Sequence, residues 1–416
     1  MNVRFPLVVA VAAILAIPAT ASAKTFQACK SGCPYKTIQK AVDASGKGDT
    51  VTVKPGTYKE GVIVVGHKHD KLTLKGNSGQ PSKVKLMGKG LHGDPSQNAV
   101  AINKADGVTL DGFYAQDFKS NGFYVSDANG YKFTNLVARR DGAYGLFAFN
   151  SFGGSMTKST ASEFNDSGFY VGQTPVQKKP KRTTISKVTA FLNVLGYSGT
   201  NSRYVDIKNS QWYNNGAGIV PNSLDSELFP PNEDNTVSGN RVFWNNFNYY
   251  LGAPFKKAKT EVAAGEIPFP VGVGVLLFGG RGNKVSNNQI YGNWLAGFAM
   301  LDAFQLKAVG DRQLMNNQIT NNVFGLGGTD LNGRDIAYDG GGTGNCFDGN
   351  QGVTTVFPAD GSTIVSCTTP PTPTTFVESA RTEALSWAVD PNHESGWIPH
   401  EHAPQPGLTP IEHFGG

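Results

Sequence analysis

A period of 23 residues restricts the fold of this chain more than any other feature of its sequence. Two landmarks keep that step without gaps. The first consists of Gly107-Val-Thr-Leu-Asp-Gly, Gly130-Tyr-Lys-Phe-Thr-Asn and Gly153-Gly-Ser-Met-Thr-Lys, and the second of Gly122-Phe-Tyr-Val, Gly145-Leu-Phe-Ala and Gly168-Phe-Tyr-Val. A fixed period of this length is typical of a solenoid, in which each repeat packs only against its neighbours.

The residues within the repeats indicate which kind of solenoid the chain forms. Gly and Asn are frequent and β-branched or aromatic residues come in short runs, which predicts many short strands joined by tight turns. The Leu-x-x-Leu-x-Leu frame of leucine-rich repeats is missing, and propeller blades need about twice this period. A sandwich of hairpins would explain the turns but not the constant step. The sequence therefore predicts an all-β, right-handed parallel β-helix with three short strands per coil, in which Asn amides of successive coils form ladders.

The start of the repeat region carries a family resemblance. Cys33-Pro-Tyr-Lys-Thr-Ile-Gln-Lys-Ala-Val-Asp-Ala-Ser is followed by Gly48-Asp-Thr-Val-Thr-Val-Lys-Pro-Gly-Thr-Tyr-Lys-Glu. This text resembles the first coil of the pectin-lyase-like superfamily of right-handed parallel β-helices, and the resemblance covers the chain from Cys29 to Cys367. It implies a short N-terminal helix that caps the solenoid. An apolar stripe of Ile38, Ala41 and Val42 agrees with that helix.

The two ends of the chain differ from the repeats. Arg4, the apolar residues 7–17 and Ala21-Ser22-Ala23 have the pattern of a signal peptide, so residues 1–23 are predicted to be removed and the protein to be secreted or held in the cell envelope. An uncleaved N-terminal anchor is the alternative. Residues 24–367 are predicted to form the β-helix domain, without a later run long enough to span a bilayer. Residues 368–416 are predicted to be a Pro/Thr-rich linker and a flexible C-terminal tail.

Four cysteines lie near the two ends of the predicted domain: Cys29, Cys33, Cys346 and Cys367. An even number in an exported chain predicts disulfides, and four cysteines permit three pairings. Two local bonds, Cys29 with Cys33 and Cys346 with Cys367, are the economical solution, because terminal coils lack one neighbour and need other protection.

Insertions into the repeat indicate where a site could lie. Four of them, at residues 174–183, 221–235, 253–270 and 302–312, are each predicted to follow the same strand of the coil, which predicts one loop-walled groove. Tolerance of insertions at a corner is the alternative. The first contains the basic residues Lys178, Lys179 and Arg182, which are predicted to bind substrate, and the third contains Lys256, Lys257 and Lys259.

An aromatic column precedes that corner. Tyr124, Phe147 and Tyr170 recur at the 23-residue step, beside a second column of Phe123, Leu146 and Phe169. Side chains alternate between the two faces of a strand, so one column points into the solenoid and the other outward. If the tyrosine column is exposed, Tyr124 and Tyr170 would stack on sugar rings. The alternative is a structural stack packed under a loop.

A charged column of Asp117, Arg140 and Glu163 runs at the same period. As a catalytic set, its carboxylates would stand two coils apart, near the upper limit of about 9.5 Å for the acid and base of an inverting glycosidase. As a structural feature, it would be a ladder of ion pairs between coils. Asp127, Asp141 and Asp166 lie nearby but off this column.

The resemblance implies a polysaccharide as partner, since the superfamily includes lyases, glycosidases, esterases and epimerases. The catalytic sets of pectate lyases and polygalacturonases have no matching positions here, and no metal-ligand set is identified. With export and basic loops, we expect an acidic polysaccharide to be bound and cleaved or modified by lyase or hydrolase chemistry. A lyase would use Ca²⁺ or a basic side chain to neutralise the uronate carboxylate.

Two other functions remain open at this point. One is a non-catalytic module of the envelope that binds glycan or serves as structure. The other resembles periplasmic β-helix proteins that assist metalloenzyme maturation, and depends on the Asn-rich coils and on His393, His400, His402 and His413 of the tail. Nucleic acid is excluded as a partner, because the net charge of +5 is too mild for a phosphate-binding protein.

Overall fold

The computed structural model describes Met1 and residues 22–90, 98–247, 270–328 and 330–389, with side chains up to residue 386. Within these ranges the chain is a right-handed parallel β-helix, as the sequence predicts. Three long parallel sheets form its sides, and every coil except the first and the last contributes in turn a strand to sheet A, to sheet B and to sheet C. The predicted signal peptide of residues 1–23 falls almost entirely outside the described residues, so export stays a prediction.

Sheets A and B hold 12 and 10 strands. Sheet A consists of β1 (Thr25–Ala28), β2 (Thr50–Val53), β5 (Thr73–Lys75), β8 (Val108–Asp111), β11 (Tyr131–Thr134), β14 (Ser155–Thr157), β17 (Thr183–Ser186), β20 (Val205–Lys208), β23 (Thr236–Ser238), β27 (Lys284–Ser286), β31 (Gln318–Thr320) and β34 (Cys346–Asp348). Sheet B consists of β3 (Gly56–Tyr58), β6 (Val84–Met87), β9 (Tyr114–Gln116), β12 (Val137–Arg139), β15 (Thr160–Ser162), β18 (Thr189–Phe191), β21 (Gln211–Tyr213), β24 (Arg241–Phe243), β28 (Gln289–Tyr291) and β32 (Val323–Phe324).

Sheet C holds 11 strands and carries the candidate site. Its members are β4 (Val62–Val65), β7 (Val100–Asn103), β10 (Phe123–Ser126), β13 (Leu146–Phe149), β16 (Ser167–Gly172), β19 (Leu195–Thr200), β22 (Ala217–Asn222), β25 (Val273–Phe278), β29 (Ala296–Leu301), β33 (Ile336–Tyr338) and β35 (Val356–Phe357). A short side pair is formed by β26 (Gly280–Arg281) and β30 (Leu314–Met315). The helices are α1 (Ile38–Ala44), α2 (Val309–Arg312) and α3 (Glu378–Val389), with single 3₁₀ turns at His67–His69 and Pro81–Lys83.

The predicted capping helix is α1. It begins after Thr37, whose side-chain oxygen accepts a hydrogen bond from the Lys40 backbone N–H at 3.2 Å and so satisfies one free donor of the first turn. Ile38, Ala41 and Val42 are fully buried and join the core cluster of the first coils. The apolar stripe therefore covers the open end of the solenoid.

The register of the coils follows the sequence repeat. Phe123 pairs with Leu146, and Leu146 with Phe169, and all three point into the core without solvent exposure. Tyr124, Phe147 and Tyr170 pair in the adjacent positions and therefore face outward. The predicted columns are confirmed, and the aromatic column is the outer one.

Asn ladders run through the interior of the later coils, as predicted. Asn288 illustrates the pattern: its side-chain N–H donates to the Asn322 oxygen at 2.9 Å, and its own oxygen accepts from the Asn240 side chain at 3.0 Å. The described residues contain three such ladders: residues Asn193, Asn215, Asn245, Asn293 and Asn332; residues Asn240, Asn288, Asn322 and Asn350; and residues Asn283, Asn317 and Asn345, where the Asn235 backbone N–H donates to the Asn283 oxygen. Each amide also satisfies backbone groups at a bend, so the buried corners keep their polar atoms paired.

Both predicted disulfides are present, Cys29 with Cys33 and Cys346 with Cys367. Cys29 follows the first strand of sheet A, and Cys346 begins the last one, so the bonds lie at opposite ends of the stack. No helix among the described residues is both long and apolar enough to cross a bilayer.

The tail differs from its prediction. Residues 378–389 form α3, whose Ala380 and Ala384 are buried against the outer face of the solenoid. The prediction of a flexible tail over 368–416 is therefore wrong for this segment. Two ion pairs explain the docking, since Arg381 reaches Asp302 at 2.8 Å and Asp339 at 2.9 Å. The four histidines of the tail lie outside the described residues.

The ladders should be essential for stability. We expect Asn288→Ala to lower the free energy of unfolding by roughly 2–4 kcal/mol, because it removes the buried oxygen that accepts from the Asn240 backbone N–H and side chain and the amide that donates to Val237 and Asn322. Asn287→Gly is the matched control. Asn287 is exposed and has a φ of 56°, which glycine adopts without strain, so its replacement should change stability by less than about 0.5 kcal/mol. Urea unfolding followed by circular dichroism measures both, and equal effects of the two changes would contradict a ladder role.

Candidate active site

Three of the four insertions leave the solenoid at one corner. Residues 174–183, 221–235 and 302–312 follow β16, β22 and β29 of sheet C. The third insertion is different, because the chain leaves sheet B at Phe243 and begins β25 of sheet C at Val273. The insertion therefore precedes its strand of sheet C, and the prediction of a common corner is wrong for it. Lys256, Lys257 and Lys259 lie in this insertion, outside the described residues.

A pocket of about 730 Å³ lies on the outer face of sheet C, under these loops. Its floor is formed by outward side chains of the later coils, including Val220, Leu276 and Ala299. Its walls come from the second insertion with Leu224 to Glu227, the fourth insertion with Phe304 and Gln305, and α3 with Ala380, Ala384 and Leu385. The floor is apolar, while acidic and phenolic groups stand at the ends.

The floor continues the predicted aromatic column. In the ladder of sheet C, Tyr170 pairs with Ser198, Ser198 with Val220, Leu276 with Ala299, and Ala299 with Ala337. The column thus carries aromatic rings at Tyr124, Phe147 and Tyr170 and smaller side chains on the coils that follow, from Ser198 to Ala337. Tyr144 connects the two parts, since its ring stacks on Phe147 at 4.4 Å and lines the pocket.

Two tyrosine–carboxylate pairs stand side by side at the aromatic end of the pocket. The Tyr144 hydroxyl donates to Asp166 Oδ2 at 3.0 Å, and the Tyr170 hydroxyl donates to Glu227 Oε1. The two tyrosine rings are 4.9 Å apart. Asp166 and Tyr170 come from the solenoid itself, whereas Glu227 is brought in by the second insertion.

The position of Glu227 is fixed by its own loop. The buried Asn201 side chain donates to the carbonyl oxygens of Leu224 and Glu227, both at 2.8 Å. The Leu228 N–H donates to the Gln173 side chain at 3.0 Å, which ties this loop to the end of β16. A side chain held in this way has little freedom to turn toward solvent.

The protonation of Glu227 is unusual for a carboxyl group. Burial raises the pKa of Glu227 from 4.5 to about 7, the hydrogen bond from Tyr170 opposes this, and the charge of Asp166 adds to it. Its second oxygen, Oε2, is buried and has no hydrogen-bond partner in the described residues. Burial also raises the pKa of Tyr144 and of Tyr170, and each neighbouring carboxylate adds to the rise. The pocket therefore holds a carboxyl group that can give up a proton near neutral pH.

The other end of the pocket is closed by α3 and its ion pairs. Asp339 lines the pocket, is 1% exposed, and accepts from the Arg381 Nε at 2.9 Å. Burial raises the pKa of Asp302, and the Arg381 charge opposes that shift. Glu383 of the same helix lies 3.6 Å from the Arg334 guanidinium. This end is held by charges that already have partners.

The predicted catalytic column of Asp117, Arg140 and Glu163 has the structural role that the sequence left as an alternative. All three lie just after strands of sheet B, in left-handed bends with φ of 63°, 53° and 67°. Arg140 binds Asp117 at 2.7 Å, and Glu163 pairs instead with Arg139 at 2.7 Å. None of them lines the pocket on sheet C, so the geometry does not support a catalytic role for this column.

The predicted binding residues are only partly brought together. Tyr170 lines the pocket but is 2% exposed, because the Glu227 loop covers it. Tyr124 is partly exposed and lies two coils earlier on the same column, 4.9 Å from Phe147 between ring centres. Lys178 and Lys179 are exposed on the first insertion and do not line the pocket. Arg182 points away, toward sheet A, where it binds Asp206. Arg182 is therefore not brought to the pocket, and its binding of substrate stays a prediction.

A Ca²⁺ ion does not fit the pocket as the described residues arrange it. The described part of the chain has one group of three candidate ligand atoms within 4.8 Å of one another, at His67, Asp70 and Asp106. This group lies at the start of the solenoid, and Lys47 already pairs with its Asp70 at 3.2 Å. Among the described residues, the carboxylates of the pocket do not form such a group of three ligand atoms.

Glu227 and Asp166 were not predicted as site residues. Asp166 lies off the charged column and follows no repeat, and Glu227 is in an insertion. One signal was available for Glu227: it is an acidic residue in an insertion that follows the strand of the tyrosine column. Its burial could not be deduced, because the path of an irregular loop is not fixed by the period.

No protein-family model and no curated protein matches this chain. Solved structures are similar to it. They include the A-module of a mannuronan C-5 epimerase from Azotobacter vinelandii, at 18% identity and a TM-score of 0.42, covering 79% of this chain and 94% of that chain. An alginate lyase from Paenibacillus sp. strain FPU-7 has 15% identity and a TM-score of 0.41, covering 81% and 96%. The catalytic unit of an α-1,3-glucanase from Streptomyces thermodiastaticus has 14% identity and a TM-score of 0.47, covering 77% and 66%.

The three long parallel sheets described above show a parallel β-helix directly. At these identities and TM-scores, the similar structures say nothing about the family or the activity of this chain.

The raised pKa of Glu227 should make the stability of the folded protein depend on pH. A carboxyl group whose folded pKa exceeds its unfolded pKa favours the folded state fully below the unfolded value of 4.5, and this contribution is lost as the pH rises through about 7. Thermal unfolding of the wild type and of Glu227→Gln, which cannot titrate, should therefore diverge from pH 5 to pH 8. The wild type should lose Tm relative to the variant over that window. A constant difference in Tm would mean that Glu227 has an ordinary pKa.

Proposed function

We propose that this protein acts on a polysaccharide in the sheet C pocket and hydrolyses a glycosidic bond there, with Glu227 as the general acid. The observation that carries the proposal is the buried Glu227 carboxyl, with a pKa of about 7 and an unpartnered oxygen, beside the second carboxylate Asp166. Glycoside hydrolases usually use two carboxyl groups, one of which has a raised pKa and acts as the general acid.

The chemistry assigns one role to each carboxyl group. Glu227 gives its proton to the glycosidic oxygen as the bond from that oxygen to the anomeric carbon breaks. A water molecule adds to the anomeric carbon, and its proton passes to Asp166, which is held by Tyr144. Asp166 then releases this proton to solvent, and Glu227 regains a proton from solvent. Direct addition of water in this way inverts the anomeric configuration.

The aromatic column supports sugar binding beside these groups. Tyr124 and Phe147 are partly exposed on the outer face of sheet C, and Tyr144 continues the same row into the pocket. Aromatic side chains with one apolar face and a polar tip suit sugar rings, which also have an apolar face and a polar edge. The row leads directly to the two carboxyl groups.

The charges of the pocket favour an uncharged sugar over the acidic one that the sequence predicted. Its lining side chains include Asp166, Asp225, Glu227 and Asp339 and, in the part of the chain that the structure describes, no Lys, Arg or His. A uronate carboxylate placed beside them would be repelled in this enclosed space. The basic residues Lys178 and Lys179, which supported an acidic glycan, lie outside the pocket.

A substrate panel tests the proposal. Neutral glucans, xylans, mannans and galactans and acidic pectins and alginates are incubated with the purified chain, and new reducing ends and unsaturated products are measured. We expect reducing ends without unsaturation from at least one neutral polymer. Glu227→Gln should lower kcat by roughly 10²–10⁴-fold with a preserved fold, because general acid catalysis is lost. Asp43→Asn, at an exposed position of α1, is the control and should keep full activity.

The pH dependence of kcat gives the second readout. Because the general acid must carry its proton, kcat should fall as the pH rises above about 7. Binding of a polymer without any cleavage would favour the non-catalytic module, and unsaturated products would favour a lyase. Either result contradicts hydrolysis by Glu227.

A further inference from the structure

We infer that the site takes the free end of a glycan chain, so that the enzyme releases short products from that end instead of cutting within the polymer. This inference rests on the proposed function and adds the mode of attack to it. It is carried by the outer column of sheet C, which is open to solvent on one side of the acid pair and covered on the other.

Exposure changes along this column from coil to coil. Ile63, on the first strand of sheet C, is 57% exposed, and Tyr124 and Phe147 are still partly exposed. After Tyr170 the same column is buried: Val220 is 1% and Ala337 is 4% exposed. These positions follow each other in register on neighbouring strands, so they form one path along the solenoid. The path is therefore open at the early coils and roofed at the late ones.

The roof belongs to the chain itself. Ala384 of α3 belongs to the same apolar cluster as Val220, Leu276 and Ala299, and both Ala380 and Ala384 line the pocket. Phe357 pairs into the column after Ala337 and carries the Arg334 guanidinium over its ring at 5.4 Å. The end of the cavity is thus closed by packed side chains and by a helix.

The helix is fixed by more than apolar contacts. Arg381 binds Asp302 of the fourth insertion and Asp339 of the last coils, and stacks on Phe376 at 4.1 Å. The Val377 N–H donates to the Asp339 carbonyl oxygen at 2.8 Å. Asp302 and Asp339 are largely buried, so removing Arg381 would leave two acidic groups without their cation. These ion pairs therefore stabilise the docked position of α3.

The position of Glu227 and Asp166 determines which part of a glycan occupies the closed end of the cavity. Glu227 and Asp166 stand at the boundary between the open and the roofed part, next to Tyr144 and Tyr170. A glycan that lies on Phe147 and Tyr124 with a bond at Glu227 has only its terminal part in the roofed cavity. A chain that continued in both directions would have to pass through α3.

Linear and cyclic oligosaccharides of the neutral polymer identified in the substrate panel distinguish attack at a chain end from cleavage within a chain. The probes are the linear oligosaccharides, labelled at the reducing end, and a cyclic oligosaccharide of the same linkage. We expect the linear series to yield one short product from the first time points, and the cyclic compound to be cut at least 100-fold more slowly. Equal cleavage of both compounds would overturn the inference while leaving the hydrolase intact. If neither is cut, the proposed function fails instead.

A variant at Arg381 tests whether the docked helix α3 determines the mode of attack. Arg381→Gln should loosen α3, lengthen the products and raise cleavage of the cyclic compound several-fold relative to the linear one. Arg139→Gln is the matched control, since Arg139 also pairs with a largely buried carboxylate, Glu163, but lies on sheet B and does not line the pocket. It should leave the product length unchanged. Unchanged products from a folded Arg381→Gln enzyme would mean that α3 does not set the mode of attack.

Discussion

In-register stacking of coils is the constraint on which the rest of this structure depends. Each strand pairs in parallel with the equivalent strand of the next coil, so a residue that faces inward in one coil faces inward in all. Asn amides such as Asn240, Asn288 and Asn322 hold this register at the bends, because each donates to the next and also satisfies a backbone carbonyl. A slip of one residue would break every ladder and turn the core side chains outward.

The same register also determines the candidate site. The outward positions of sheet C cannot join the core, so they are either exposed or covered by something added to the solenoid. The second and fourth insertions and α3 supply that cover over the late coils. Enclosure of Glu227 follows from it, and the removal of water is what raises the pKa of this carboxyl group to about 7. Fold and chemistry are thus connected through one column of side chains.

Sequence reasoning succeeded where the chain is periodic and failed where it is not. The columns of Phe123 and Tyr124 and both disulfides follow from spacing and chain position, and the capping helix follows from the family resemblance and an apolar stripe. The partner of Arg182, the burial of Glu227 and the docking of α3 depend on irregular segments, whose contacts no repeat encodes. The column of Asp117, Arg140 and Glu163 shows the opposite error, because its regular spacing is explained by left-handed bends and ion pairs between coils.

A crystal structure of the Glu227→Gln protein with a neutral oligosaccharide is the most direct test of the central claim, that the outer column of sheet C is the glycan path. The account predicts a terminal sugar in the roofed cavity, a glycosidic oxygen within hydrogen-bond distance of residue 227, and further sugars over Phe147 and Tyr124. An oligosaccharide bound to sheet A or sheet B, or one that displaces α3 and runs past Ala337, would contradict it.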